Sequence, residues 1–161
     1  MIPESCIRRL HPTREGSRKY RFVLTKRFQY TLRGAIAKHP DVDFYDATGK
    51  RWAYIRSGIL YIEKGYAWNG CSPKYYVGFP PIGKWVGTPD FDETLEASLV
   101  HDVLFQFSAL AKYTFEDCNK QFLLIMQSDN FLLTDTYYAA VCKLGRKFYG
   151  VNDTGLKAVY L

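Results

Sequence analysis

VDFYDATGKRWAYIRSGILYIE, residues 42–63, decides the fold. Aromatic and β-branched residues fill three short runs, and each of the first two ends in a turn signal. Ala47-Thr48-Gly49-Lys50 offers a glycine where a left-handed backbone is needed, and Ser57-Gly58 offers another. RWAYIR alternates like a strand with one face in and one face out. Strands joined by links this short run antiparallel, so a β-meander is predicted.

The same pattern extends both ways. Upstream, YRFVLTKRFQYTL (20–32) suggests one or two strands broken near Lys26-Arg27. Downstream, Lys64-Gly65 turns into YAW, a last short strand. Residues 1–68 therefore form a β-rich part. The pattern stops in residues 69–92, which begin NGCSPKYYVGFPPIGKWVGTPD and are dense in glycine and proline. A connection of this length is expected to be functional or disordered. Its aromatics Tyr75, Tyr76, Phe79 and Trp85 argue for a lid or pocket wall.

Residues 93–150 read as three helices. Asp92 or Thr94 can cap the first, which runs to about Phe107. Thr114 opens the second, with Phe115, Cys118, Phe122 and Met126 as its apolar stripe. Thr134 or Asp135 opens the third, with Tyr138, Val141, Gly145 and Phe148 on one face. Residues 151–161 are expected to be a short tail. Strands first and helices later make an α+β fold, and 161 residues suit a single domain.

Charge is unevenly placed. Residues 1–33 hold nine basic side chains against Glu4 and Glu15, while the rest of the chain is slightly acidic. The basic residues of 8–33 can contact nucleic acid or another acidic surface, or they can be solvated strand edges. No recognition helix, zinc finger or RNA-binding signature supports sequence-specific reading. No apolar stretch approaches the ~20 residues of a membrane span. The Arg-rich start does not read as a secretory signal. Cys6, Cys71, Cys118 and Cys142 form no C-x-x-C pair and are expected as free thiols.

The chemistry candidates sit where the apolar pattern is broken. ASLVHDVLFQF (97–107) is apolar on most sides, which marks an interior helix, yet it carries His101 and Asp102 side by side. Neighbours on a helix diverge by about 100°, so the two can border one cleft without aiming at one atom. A buried carboxylate needs partners. His101 can be a base or a ligand, or a core histidine satisfied by backbone. Asn69 and Ser72, at a strand end, can supply polar contacts to the same cleft, or form a plain Asn-Gly turn. Ser72 with His101 can imitate a hydrolase triad, although the G-x-S-x-G elbow is absent. Cys71 as a thiolate nucleophile is a further option. Asp117 fits a capping box with Thr114 as well as a binding role. His11 and His39 are lone residues in polar surroundings and are expected to be exposed. An open divalent-metal site at His101 and carboxylates is left open, while a closed zinc site lacks ligands.

GYAWNGCSPK, LEASLVHDVLFQF, FEDCNKQFLLIM and YYAAVCKLGRKFYG, in this order, resemble a family of small phage and prophage proteins known as domain of unknown function thirteen-fifty-three. The likeness spans roughly Gly65 to Gly150. It implies one polar site built from Asn69, Ser72, His101, Asp102 and Asp117. The chain departs from the pattern in carrying Asn69 where the family has an aspartate, Cys71 where it has a small residue and Glu116 where it has an alanine. What the resemblance implies about biology is a bacteriophage origin, with residence in the host cytoplasm or the virion.

Two classes of function follow. One is a hydrolase-like enzyme with His101, Asp102 and Ser72 as catalytic residues and Asn69 and Asp117 as binding residues. The other is a virion or assembly component, associated with head or tail, that docks on other phage structural proteins or on DNA through its basic region. A binder that sequesters a host ligand between the loop aromatics is a third.

Overall fold

The computed structural model describes residues 1–10, 20–71, 90–151 and 155–161 in full, and 74–77 and 84–87 by backbone alone. Ten strands and three α-helices are found among them. The strands are β1 (Ile7–Arg9), β2 (Phe22–Leu24), β3 (Phe28–Thr31), β4 (Val42–Tyr45), β5 (Arg51–Arg56), β6 (Ile59–Ile62), β7 (Ala67–Trp68), β8 (Lys74–Val77), β9 (Lys84–Gly87) and β10 (Lys157–Tyr160). The helices are α1 (Asp92–Gln106), α2 (Phe115–Ser128) and α3 (Thr134–Gly145). The architecture is α+β, with antiparallel sheets in the N-terminal half and the helices in the C-terminal half.

The meander is the centre of a five-stranded sheet of order β10-β4-β5-β6-β3, every pair antiparallel. Gly49 (φ +83°) and Gly58 (φ +75°) make its two turns in the left-handed region. Along β4 to β6 the inward residues Val42, Phe44, Ala53, Ile55, Leu60 and Ile62 are wholly buried, the period-2 pattern of a sheet with one covered face. The outer face carries Asp43 between Arg51 (3.2 Å) and Arg56 (2.8 Å), and a stacked Tyr54–Tyr61 pair.

Residues 20–32 form two strands as expected, but these enter different sheets. β3 extends the meander beside β6, whereas β2 joins β1 and β7 in a separate three-stranded sheet. The C-terminal residues are no free tail, since β10 pairs with β4 along Lys157–Tyr160. The segment expected as a loop holds the β8–β9 hairpin. The lid expected of its aromatics rests on side chains outside those described.

Ten of the fifteen residues of α1 are buried, which makes it the central helix. Phe107, just past its end, stacks on Phe44 at 4.7 Å between ring centroids and ties the helix to the sheet. Its N-terminus uses neither expected cap: Phe91 is the N-cap, and Thr94 Oγ1 instead donates back to the Phe91 carbonyl at 2.8 Å. Helix α2 is held against the sheet edge by Gln121. That amide accepts from the Arg33 N–H (3.0 Å) and donates to the Arg33 carbonyl (2.7 Å), replacing a strand partner. On α3 the buried aromatic is Tyr137 rather than Tyr138, and Phe148, beyond the helix, is exposed. Among the described residues no helix is long and apolar enough to cross a membrane.

Candidate functional site

A cleft of about 800 Å³ opens where β7, α1 and α3 meet. His101 and Asp102 are in its wall because α1 is buried all round, so polar residues on it must face a neighbour or a cavity. The Asp102 side chain is 31% exposed and the His101 side chain 10%, so the carboxylate is the accessible member.

His101 is held from behind. Its Nε2 lies 2.9 Å from Oδ1 of Asn119, a residue of α2 that is 1% exposed. The amide nitrogen of Asn119 donates to Cys142 Sγ on α3 at 3.6 Å. With the NH₂ group turned to sulfur, the carbonyl oxygen faces the imidazole, so the network assigns the proton to Nε2. In the neutral ring the lone pair then falls on Nδ1, and Nδ1 stands 4.0 Å from Asp102 Oδ1. That separation is longer than a hydrogen bond, and it is an ion pair only with the ring protonated. Phe105 (3.9 Å between centroids) and Phe122 (5.4 Å, edge-on) fix the plane of the ring.

Asp102 has its pKa raised above the ordinary carboxylate value. Burial is the main cause; the nearby Asp90 charge acts in the same direction, and His101 and the backbone N–H of Asn69 oppose it. Asn69 thus serves the site first through its main chain, which donates to Asp102. Asp90 clamps the next part of the same turn. Its Oδ1 accepts from the Cys71 N–H at 2.9 Å, and its Oδ2 accepts from Arg21 at 2.8 Å. Gly70 between them has φ +77°, and a Cβ there would lie 2.3 Å from Asp90 Oδ1. Only glycine fits under that carboxylate.

Of the residues singled out from sequence, Asn69, Cys71, His101 and Asp102 line the cleft, with the buried Cys71 thiol donating to the Thr94 carbonyl at 3.8 Å. Ser72 lies outside the described residues. Asp117 stands elsewhere: its Oδ2 accepts from the Thr114 N–H and hydroxyl, both at 2.9 Å, and its own N–H donates to Thr114 Oγ1, closing a capping box on α2. His39 is not exposed as expected but buried, because Tyr113 and Tyr160 from distant segments cover it. His11 lies outside the described residues. Asn119 and Asp90 were not foreseen. Asn119 had a signal, an amide sitting on the apolar stripe of α2 between Phe115 and Phe122.

The remaining lining is aromatic and uncharged for the most part. Tyr66 donates from its hydroxyl to Gln106 Oε1 at 2.8 Å, and Trp68 donates to Ser98 at 3.1 Å. At the rim Asp46 accepts from Thr48, Lys50 and Trp52, which hold its pKa down at about 2. Among the described residues no three His, Cys, Asp or Glu side chains converge to hold a metal ion. Comparison of the chain with protein-family models, with curated proteins and with solved structures finds no match.

Proposed function

We propose that the chain is a small hydrolase-like protein of bacteriophage origin that works in this cleft through His101 and Asp102. The phage origin rests on the resemblance of residues 65–150. The activity rests on one observation: a buried imidazole is anchored at Nε2 by Asn119, while its Nδ1 side meets a carboxylate on an open cleft. His101 takes a proton from a water or hydroxyl through Nδ1, and Asp102 stabilises the imidazolium that forms. The Asn69 N–H keeps that carboxylate in place.

The rival reading, a virion component docked through its basic region, has, among the described residues, three of that region's nine basic groups in ion pairs within the molecule. Arg9, Arg21 and Arg27 are engaged within the molecule, at Asp92, Asp90 and Glu63. Those three guanidinium groups are already paired before any partner arrives.

A panel of chromogenic esters, phosphodiesters, glycosides and peptides tests the proposal. Turnover by the wild type that falls about 10²–10⁴-fold in His101→Gln, with the melting temperature retained, is the expected result. Equal turnover in the two proteins, or none on any substrate class, overturns it.

A further inference from the structure

We infer that the cleft recognises its ligand through a cationic ammonium group seated among aromatic rings and carboxylates. The inference rests on the cleft being a ligand site, as proposed above, but not on turnover. It starts from a contrast in charge. The chain carries a net charge of +6, yet the described residues lining the cleft include Asp46 and Asp102 and no lysine or arginine. An anionic ligand would meet two carboxylates, while the ammonium groups of Lys50 and Lys147 are already seated over the rings of Trp52 and Phe148. An uncharged hydroxyl or amide can hydrogen-bond Asp102 but brings no positive charge to offset either carboxylate.

The walls suit a cation as well. Tyr20, Trp52, Tyr66, Trp68, Phe105 and Phe148 supply ring faces and edges around the cleft. A cation over such a face is attracted by the ring quadrupole, most strongly for tryptophan. The chain already uses one of these rings in that way: the Lys50 ammonium lies 3.5 Å from the centroid of Trp52. The groups facing Asp102 are His101 from its own helix, the Asn69 N–H, Asp90 and the Tyr66 hydroxyl. Arg21 is committed to Asp90. Among the described residues, the cationic group that can meet Asp102 from inside the protein is a protonated His101, and a bound ammonium would complete the pairing.

Choline and its uncharged isostere 3,3-dimethylbutan-1-ol are the probes, titrated into the full chain with tryptophan fluorescence as the readout. Choline is expected to bind saturably and about tenfold or more tighter than the isostere. Asp102→Asn should lower choline affinity about tenfold and leave the isostere unchanged. Lys50→Met, which frees the Trp52 face and leaves Asp102 alone, should tighten choline, and it keeps the test alive if the Asp102 variant misfolds. Equal binding of both probes, binding of the isostere alone, or no saturable binding overturns the inference. Saturable choline binding by a wild type that turns over no substrate class would fail the hydrolase reading and keep this one, whereas turnover that is lost in His101→Gln, with no saturable choline binding, would do the reverse.

Discussion

His39 and His101 are buried to the same extent, each 8% exposed, yet their surroundings suit them to different tasks. At His39 both ring nitrogens face backbone. Nδ1 donates to the Pro40 carbonyl at 2.8 Å, and Nε2 accepts from the Lys112 N–H at 3.2 Å. Tyr113 and Tyr160 pack against the ring, with centroids 5.3 and 5.9 Å away, and His39 is not among the residues lining the cleft. At His101 one nitrogen is held by a side-chain amide, and the other looks toward Asp102 and the cleft. Burial alone therefore does not mark a functional histidine. On the function proposed above, the mark is a ring nitrogen that the fold anchors on one side and leaves to chemistry on the other.

The comparison is sharpest when stability and turnover are read together. His39→Ala removes two hydrogen bonds to backbone and a ring packed between tyrosines. Asn119→Ala removes the acceptor of a buried imidazole N–H. Each is expected to cost about 1–3 kcal/mol, or roughly 2–4 °C of melting temperature per kcal/mol for a chain of this size. Only Asn119→Ala should also slow turnover, by about 10²-fold, because the imidazole then loses both its tautomer and its aim. Calorimetry beside the chromogenic assay checks the pair. If His39→Ala slows turnover as much as Asn119→Ala does, the distinction between the two histidines fails.

How much of this was open to a reader of the sequence follows from where each contact comes from. The meander was legible because Gly49 and Gly58 sit inside it and its pairings are local. β10 was not, because its partner β4 lies more than a hundred residues away and nothing within KAVY points to it. His101 and Asp102 stood out as ionisable residues on an apolar helix. His39 misled, since Lys38 and Asp41 close to it in sequence are charged, while the rings that bury it arrive from residues 113 and 160. Gly70 read as half of an Asn-Gly turn. Its role beneath Asp90 depends on a carboxylate twenty residues on.

A pH series separates the two regions by the sign of the slope. The His39 pKa is lowered, chiefly by burial and also by the Lys112 charge, with the Pro40 carbonyl opposing. The unfolded chain then binds the proton more tightly than the folded one. Stability contributed by His39 is present above about pH 6.5 and is lost as pH falls through its lower folded value. Asp102 has the opposite sign. Its folded pKa is raised, so its contribution is present below the ordinary carboxylate value and is lost as pH rises through the folded one. Denaturant midpoints measured from pH 4 to pH 7 should therefore lose their rising component in His39→Gln and their falling component in Asp102→Asn. Slopes unchanged by both substitutions would mean that neither environment perturbs its group as described.

The smallest expected effect bears on where the site ends. Asp117 lies on α2 two residues before Asn119, and its sequence context suits a binding residue as well as a cap. Its carboxylate accepts from both the N–H and the hydroxyl of Thr114, and it sits in the first turn, where negative charge meets the positive end of the helix. Asp117→Ala should cost about 0.5–1 kcal/mol through loss of the box and of that charge. It should leave turnover and choline affinity unchanged, because Asn119 is held by Cys142 and His101 rather than by the cap. A tenfold loss of affinity with little loss of stability would instead carry the edge of the cleft across α2 to Asp117, and the helix start would then have to be counted among the groups that meet the ligand.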